Sequence, residues 1–302
     1  MDRRSFLKGS GFAAAAWATG HSEDYEAGPR TPSSSFTFAF FTDVHLEPEL
    51  RAPKGMGMAV DLINRSAAEF AICGGDHIFD GLDANRDRVQ EQYDLYANLE
   101  RQLRLPVMHV LGNHDVAGLL ASSGMSESEA IYGKALFEKM FRTPTYYAFQ
   151  YKGAQFIVLD SIYIEGRNWR PHIDAAQIAW LKRILESAPG MPTIVMSHVP
   201  LATSISSYWP GSDNPMYAPV SNSEEVIPLL ERHNVLAVLQ GHTHIDEVVR
   251  RGGIQYITGG AVCGRWWQGP HFGDREGVTF VTVGGGKLTT NYVPTGFVAM
   301  ES

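Results

Sequence analysis

The sequence predicts an α/β fold arranged as a four-layer sandwich, two mixed β-sheets packed together with helices outside. Three observations predict it. Short apolar, β-branched runs alternate with helical patterns through the first half of the chain. Glycine-punctuated β-runs dominate from Val248 to Val293. Five polar fragments each follow an apolar run, where an α/β fold gathers its functional loops. With 302 residues, 44% of them hydrophobic, the chain can bury the core such a sandwich needs.

Taken in order, Phe36 to Phe41 is the first strand, and Met56 to Ala68 has the spacing of a helix (Ala59, Leu62, Ile63, Ala67) leading to a short strand before Asp76. Asn85 to Leu103 is highly charged, but Val89, Tyr93, Tyr96 and Leu99 recur at three or four residues, which makes it an amphipathic helix. Pro106 to Leu111 is the next strand. Ser126 to Phe141 opens on Ser-Glu-Ser-Glu, an acidic first turn suited to a helix start. Tyr146 to Tyr151 and Gln155 to Leu159 form a hairpin around Lys152-Gly153-Ala154. Asp174 caps a helix that continues through Trp180, Leu181 and Ile184. Thr193 to Met196 is a buried strand, Ser221 or Asn222 starts another helix, and Val235 to Leu239 is the strand that feeds Gly241.

The five fragments are Asp43-Val-His45, Gly75-Asp76-His77, Gly112-Asn113-His114-Asp115, Ser197-His198 and Gly241-His242-Thr243-His244. Any one of them has a bland explanation. Asn113 alone is a turn residue, Asp43 alone a strand-end acid, and loop histidines are commonly just exposed. Jointly they bring two carboxylates, an amide oxygen and several imidazoles to strand ends, a donor set able to hold two divalent ions. Two such ions clamp a phosphoryl group, polarise its oxygens and generate a bridging hydroxide at neutral pH. His109, His172, His233 and His271 lie outside the fragments, and His77 has no donor role in its own; His109 in a strand and His233 near a helix end are expected to be structural, while His77, beside Asp76, could support that carboxylate.

In order and spacing, the five fragments resemble those of the calcineurin-like metallophosphoesterases, from Asp43 to His244. The resemblance implies that Asp43, His45 and His244 hold one metal, that Asn113, His198 and His242 hold the other, and that Asp76 bridges them. It implies that His114 stays off the metals and serves the leaving group, with Asp115 as its orienting partner. Purple acid phosphatases, relatives with the same core, carry a tyrosine ligand three residues after the bridging aspartate. Phe79 stands there in this chain, so no tyrosinate-to-iron colour is expected. Mn²⁺, Fe²⁺ and Zn²⁺ all suit the nitrogen and oxygen donors.

A formal charge of −8 argues against a stable nucleic-acid partner held by phosphate neutralisation. Arg3-Arg4-Ser5-Phe6-Leu7-Lys8, followed by the small residues Gly9 to Ala18, resembles a twin-arginine signal peptide, here residues 1–20. Residues 21–35 read as a linker and 36–302 as the catalytic domain. The twin-arginine export machinery is then a partner, and the destination is the periplasm or the medium. The leader is too short for a permanent membrane span. Two cysteines, Cys73 and Cys263, are too few for a disulfide framework.

Two segments are expected to shape the substrate site. Val199 to Val220 is a long Ser/Pro/Gly-rich loop that leaves directly from His198 and carries Tyr208, Trp209 and Tyr217. Gly264 to Gly269 offers Arg265 for phosphate oxygens and Trp266 for a planar base or sugar, although one tryptophan of the pair could equally anchor a sheet. The leading expectation is a phosphodiesterase on a small diester, a cyclic nucleotide or glycerophospho compound. A phosphomonoesterase or nucleotidase with the same metals is the alternative, and a non-catalytic scaffold of the same fold ranks lower because every motif position is filled.

Overall fold

The computed structural model describes residues 31–205 and 217–300, so the stretch expected to be a signal peptide, most of the expected linker, Tyr208 and Trp209 lie outside the described residues. Two large sheets form the centre. The first has the order β13-β12-β1-β2-β3 and the second β10-β11-β9-β8-β5-β4. In the first, β1 (Phe36–Phe41), β2 (Ala71–Cys73) and β3 (Val107–His109) are parallel, while β12 (Gly277–Gly284) and β13 (Lys287–Pro294) extend the sheet antiparallel from β1. In the second, β5 (Ala154–Leu159), β8 (Thr193–Ser197), β9 (Val235–Gln240) and β11 (Ile254–Thr258) are parallel, and β4 (Tyr147–Tyr151) and β10 (Glu247–Arg251) add antiparallel edges.

Aromatic residues fill the space between the sheets. The rings of Phe38 and Phe70 stack at 5.0 Å, those of Phe149 and Phe156 at 4.9 Å, and Phe38 meets Phe156 edge-on at 5.6 Å. Such pairs add about 0.5–1.5 kcal/mol each to the burial of their area. On the outer face of the first sheet lie α1 (Ala52–Asn64) and α2 (Arg86–Glu100), which bury Met56, Ala59, Ile63, Tyr93 and Tyr96. The second sheet is covered by α4 (Ala175–Glu186) and α5 (Ser223–Glu231) through Leu181, Leu185, Val226 and Leu230. The result is the four-layer sandwich the sequence predicts.

Elements differ from expectation where local chemistry overrides periodicity. α1 begins four residues earlier, with a proline in its first turn, a position that suits proline's fixed φ and missing N–H; within it Gly55 packs on Trp267, where a Cβ would fall 2.0 Å from the indole. The helix expected from Ser126 is confined to α3, Ala135–Phe141. The acidic start folds back on itself instead, with Glu129 Oε1 accepting from the Ser126 amide. The stretch between β5 and α4, given no structure from sequence, forms a hairpin of β6 (Ile162–Glu165) and β7 (Asn168–Pro171). Of the linker, Ser33 is pinned to Lys152 O in the β4–β5 turn. Among the described residues, no helix is long and apolar enough to cross a membrane.

Candidate metal centre

Every expected donor, and His114, follows the end of a parallel strand: Asp43 and His45 follow β1, Asp76 follows β2, Asn113 and His114 follow the edge strand β3, His198 follows β8, and His242 and His244 follow β9. The two sheets therefore meet at a single row of side chains. Asp43, His45, Asp76, His242 and His244 all have φ between 42° and 72°. These are left-handed conformations that cost non-glycine residues free energy, and they cluster where function over-determines the backbone.

The seven expected donors come together. Asp76 Oδ2 lies 3.4 Å from His45 Nε2 and 3.2 Å from His198 Nε2. His244 Nε2 is 3.1 Å from His45 Nε2 and 3.5 Å from Asp43 Oδ1. His198 Nε2 is 3.3 Å from Asn113 Oδ1. The donors of Asp76, His198 and His242 converge in one group, and those of His45, Asp76 and His114 in another, so Asp76 belongs to both. The remaining ring nitrogens are anchored: His198 Nδ1 donates to Gly74 O and His244 Nδ1 to Gly264 O, which turns Nε2 inward. Asp43 accepts from the Thr42 hydroxyl and the His242 amide.

Two properties of this cluster fit metal ions. His242 Nε2 is buried with no hydrogen-bond partner among the described residues, a state that ordinarily costs free energy. Burial, reinforced by neighbouring imidazoles, lowers His242 and His244 to about 3 and holds His45 well below its ordinary value, so all three are neutral and able to donate a lone pair. Burial works to raise the Asp76 carboxyl, but His198, His114 and His45 outweigh it and hold it well below the usual range. Asp43 is pushed up to about 7, first by burial and then by Asp76. His198 rises to about 9 against its own burial because Asp76 faces it, and it must release that proton when Nε2 binds a cation.

Beside the cluster is a cavity of ≈ 140 Å³, lined by His45, Asp76, Asn113, His114, His242 and His244 together with Trp169 and Trp266. His114 Nδ1 donates to Phe79 O at 2.6 Å, leaving Nε2 as the free nitrogen, and its amide donates to Asp76 Oδ1 at 2.8 Å. This corrects the role expected of Asp115. Its carboxylate is fully buried and accepts from the amides of Asp76, His77 and Gly112 and from His77 Nδ1, so it fixes the loop that carries Asp76 and does not orient His114. Asp115 holds His77 well above its ordinary value despite burial, as a buried ion pair.

The 36–246 stretch matches the family model for the calcineurin-like phosphoesterases. The chain belongs to that family. Its members hydrolyse phosphoesters, and the His/Asp groupings of this calcineurin-like phosphoesterase are able to bind metals. It is 27% identical over 239 residues to tartrate-resistant acid phosphatase type 5 of Sus scrofa, spanning 72% of this chain and 64% of that one. It is 24% identical over 253 residues to human serine/threonine-protein phosphatase CPPED1, spanning 82% and 74% of the two chains. A dimetal phosphatase from Danio rerio has the same fold, with a TM-score of 0.62 at 17% identity over 86% of this chain and 98% of that one. So does GAP50 of Plasmodium, an anchor in the inner membrane complex, with a TM-score of 0.52 at 18% identity over 87% and 85%.

The structure also sorts the expected substrate contacts. Trp266 lines the cavity with its ring 4.7 Å from that of His244, whereas Arg265 is exposed and outside the lining. Trp267 is the anchor of the pair: it is buried and its Nε1 donates to His45 O. Trp169 was not foreseen, since it sits in the unassigned β6–β7 hairpin with no motif around it. His271 is structural in its burial, yet its ring stands 5.7 Å from that of His244.

Proposed function

We propose that this chain is a phosphodiesterase that hydrolyses a small diester at two divalent ions, one held by Asp43, His45 and His244, the other by Asn113, His198 and His242, with Asp76 shared. The observation that carries this reading is Asp76 Oδ2 placed within 3.4 Å of an imidazole from each group, beside a cavity that His114 also lines. When bound, the ions supply Lewis-acid polarisation of the phosphoryl oxygens and a water acidified enough to attack phosphorus at neutral pH.

The chain's own groups do the rest. Asp76 supplies the shared carboxylate, fixed at Oδ1 by the His114 amide. His114, held by Phe79 O at Nδ1, presents Nε2 to the leaving oxygen and donates the proton that the departing alkoxide needs. The diester preference is supported by the lining: among the described residues, no lysine or arginine faces the cavity. A monoester dianion has more charge to neutralise than a diester monoanion. The cavity is also smaller than the 300–1,000 Å³ of sites that engulf a drug-sized ligand, so it suits a phosphoryl group with its substituents at the mouth.

The names of the curated relatives favour a second reading, monoester hydrolysis. The two separate on bis(p-nitrophenyl) phosphate against p-nitrophenyl phosphate, using metal-stripped protein resupplied with Mn²⁺, Fe²⁺ or Zn²⁺. A higher metal-restored kcat/KM on the diester is expected; a higher value on the monoester reverses the assignment. Residues 1–20 are read as a twin-arginine signal that delivers the folded enzyme to the periplasm or the medium. Replacing Arg3 and Arg4 with lysine is then expected to leave uncleaved protein inside the cell, and normal export of that variant would refute the reading.

A further inference from the structure

We propose that Trp169 and Trp266 are the specificity-determining walls of the site, and that they select phosphoesters bearing a planar π substituent, a nucleobase or an aryl group. The inference rests on the hydrolase reading and adds the substrate class. Among the described residues, eight line the cavity, six from the motifs, and these two tryptophans are the other two. They flank different ligands. Trp169 stands edge-on to His242 at 5.9 Å, and Trp266 lies against His244 at 4.7 Å and His45 at 5.9 Å. A phosphoryl group among the motif residues would therefore have an indole on the side of each metal-ligand group. Both indoles are half-buried, so each keeps surface for a ligand.

The fold spends unusual backbone on placing them. Trp266 and Trp267 are consecutive left-handed residues, with φ of 46° and 62°. That reversal sends Trp267 into the core against Gly55 and Phe297 and leaves Trp266 at the cavity. Trp169 is presented by the β6–β7 hairpin, which is fastened at both ends. At its turn, Arg167 Nη2 donates to Gly118 O, Leu120 O and Met125 O, each at 3.1 Å. At its exit, the Ser221 amide donates to Pro171 O. Arg167 is thus a positioning residue for Trp169. Two rigid indoles around a cavity that no lysine or arginine of the described residues lines discriminate by stacking, which tolerates any planar ring and gives little to an alkyl group.

The test holds the leaving group constant and varies the other substituent. The metal-loaded enzyme is assayed on bis(p-nitrophenyl) phosphate, thymidine 5′-(p-nitrophenyl phosphate) and methyl p-nitrophenyl phosphate. The expected result is a kcat/KM for the first two at least about tenfold above that for the methyl ester. Trp169→Ala and Trp266→Ala are each expected to erase most of that ratio through KM, Trp→Phe to recover part of it, and Arg167→Ala to act as Trp169→Ala does. A preference for the nucleoside ester over the aryl ester assigns a nucleobase; the reverse order assigns an aryl group. Equal rates on all three in the wild type, or an equal loss on all three in the variants, would overturn the proposal. Absence of metal-dependent turnover on every substrate would instead strike the hydrolase reading itself.

Discussion

His114 is the residue whose role turns on one hydrogen bond. Its Nδ1 is committed to Phe79 O, and its Nε2 reaches a cavity it shares with Asp76 and His45. A proton donor in that position contributes typically 10²–10⁴ in rate. His114→Asn is therefore expected to lower kcat by about that range while metal analysis still finds two ions per chain. Loss of an ion together with the rate would make His114 a ligand. Phe79 carries a second prediction. Its carbonyl serves His114, but its side chain has no oxygen to offer a cation, so iron-loaded protein is expected to lack a visible charge-transfer band. Purple colour on iron loading would show that some other oxygen has taken the tyrosine's place. The residues that gather in the cluster were legible in the sequence because metal donors are few in kind. The task of Asp115 was not, since a buried carboxylate that accepts three amides looks in sequence like any acid beside a histidine.

At the scale of the element, the motif glycines explain why each donor follows a glycine in three of the five loops. A Cβ on Gly112 would lie 2.1 Å from Asp76 Oδ1, one on Gly75 2.4 Å from His198 Nδ1, and one on Gly241 2.6 Å from Asp43 Oδ2. The strand ends approach one another so closely that only a hydrogen fits between a loop backbone and the neighbouring ligand. Gly75 adds a φ of 109° that other residues rarely adopt. Gly112→Ala is expected to displace the shared carboxylate, reducing metal content below two per chain and activity by more than about a hundredfold, since misplacement by about 1 Å has that cost. The far-ultraviolet dichroism should stay close to wild type. Full metal content with full activity in this variant would contradict the packing argument. Strands β1, β5, β8 and β9 were legible because buried parallel strands are continuous apolar runs. The β6–β7 hairpin was not, because Ile162 to Pro171 mixes aromatic, charged and polar residues without a two-residue period. Its position comes from Arg167 reaching three carbonyls over forty residues away, a contact no local pattern encodes.

At the scale of the whole molecule, the candidate metal centre is also a seam. Asp43, His45, Asp76 and Asn113 come from the first sheet, and His198, His242 and His244 from the second. The protein's own ties across this edge are polar: His198 to Gly74 O, the His242 amide to Asp43, and a bridge between Thr42 and Ala261. Further in, the sheets are held by the phenylalanine layer, which needs no ion. Chelation is therefore expected to loosen one edge of the sandwich and leave the molecule folded. A ligand that binds only the native state at a hundred times its Kd adds about 2.7 kcal/mol. For a chain of this size that corresponds to roughly 4 °C in Tm. Stripping with a chelator should lower Tm by that amount and restoring Mn²⁺, Fe²⁺ or Zn²⁺ should recover it. Hydrogen exchange should then rise at the loops after β1, β2, β8 and β9 while α4 and α5 keep their protection. Because the ions act as ties only if both sheets contribute donors to them, Asp76→Asn and His242→Ala should each shrink the chelator-sensitive part of Tm. A chelator effect of the same size in both variants would mean that the ions stabilise the chain from somewhere other than this seam.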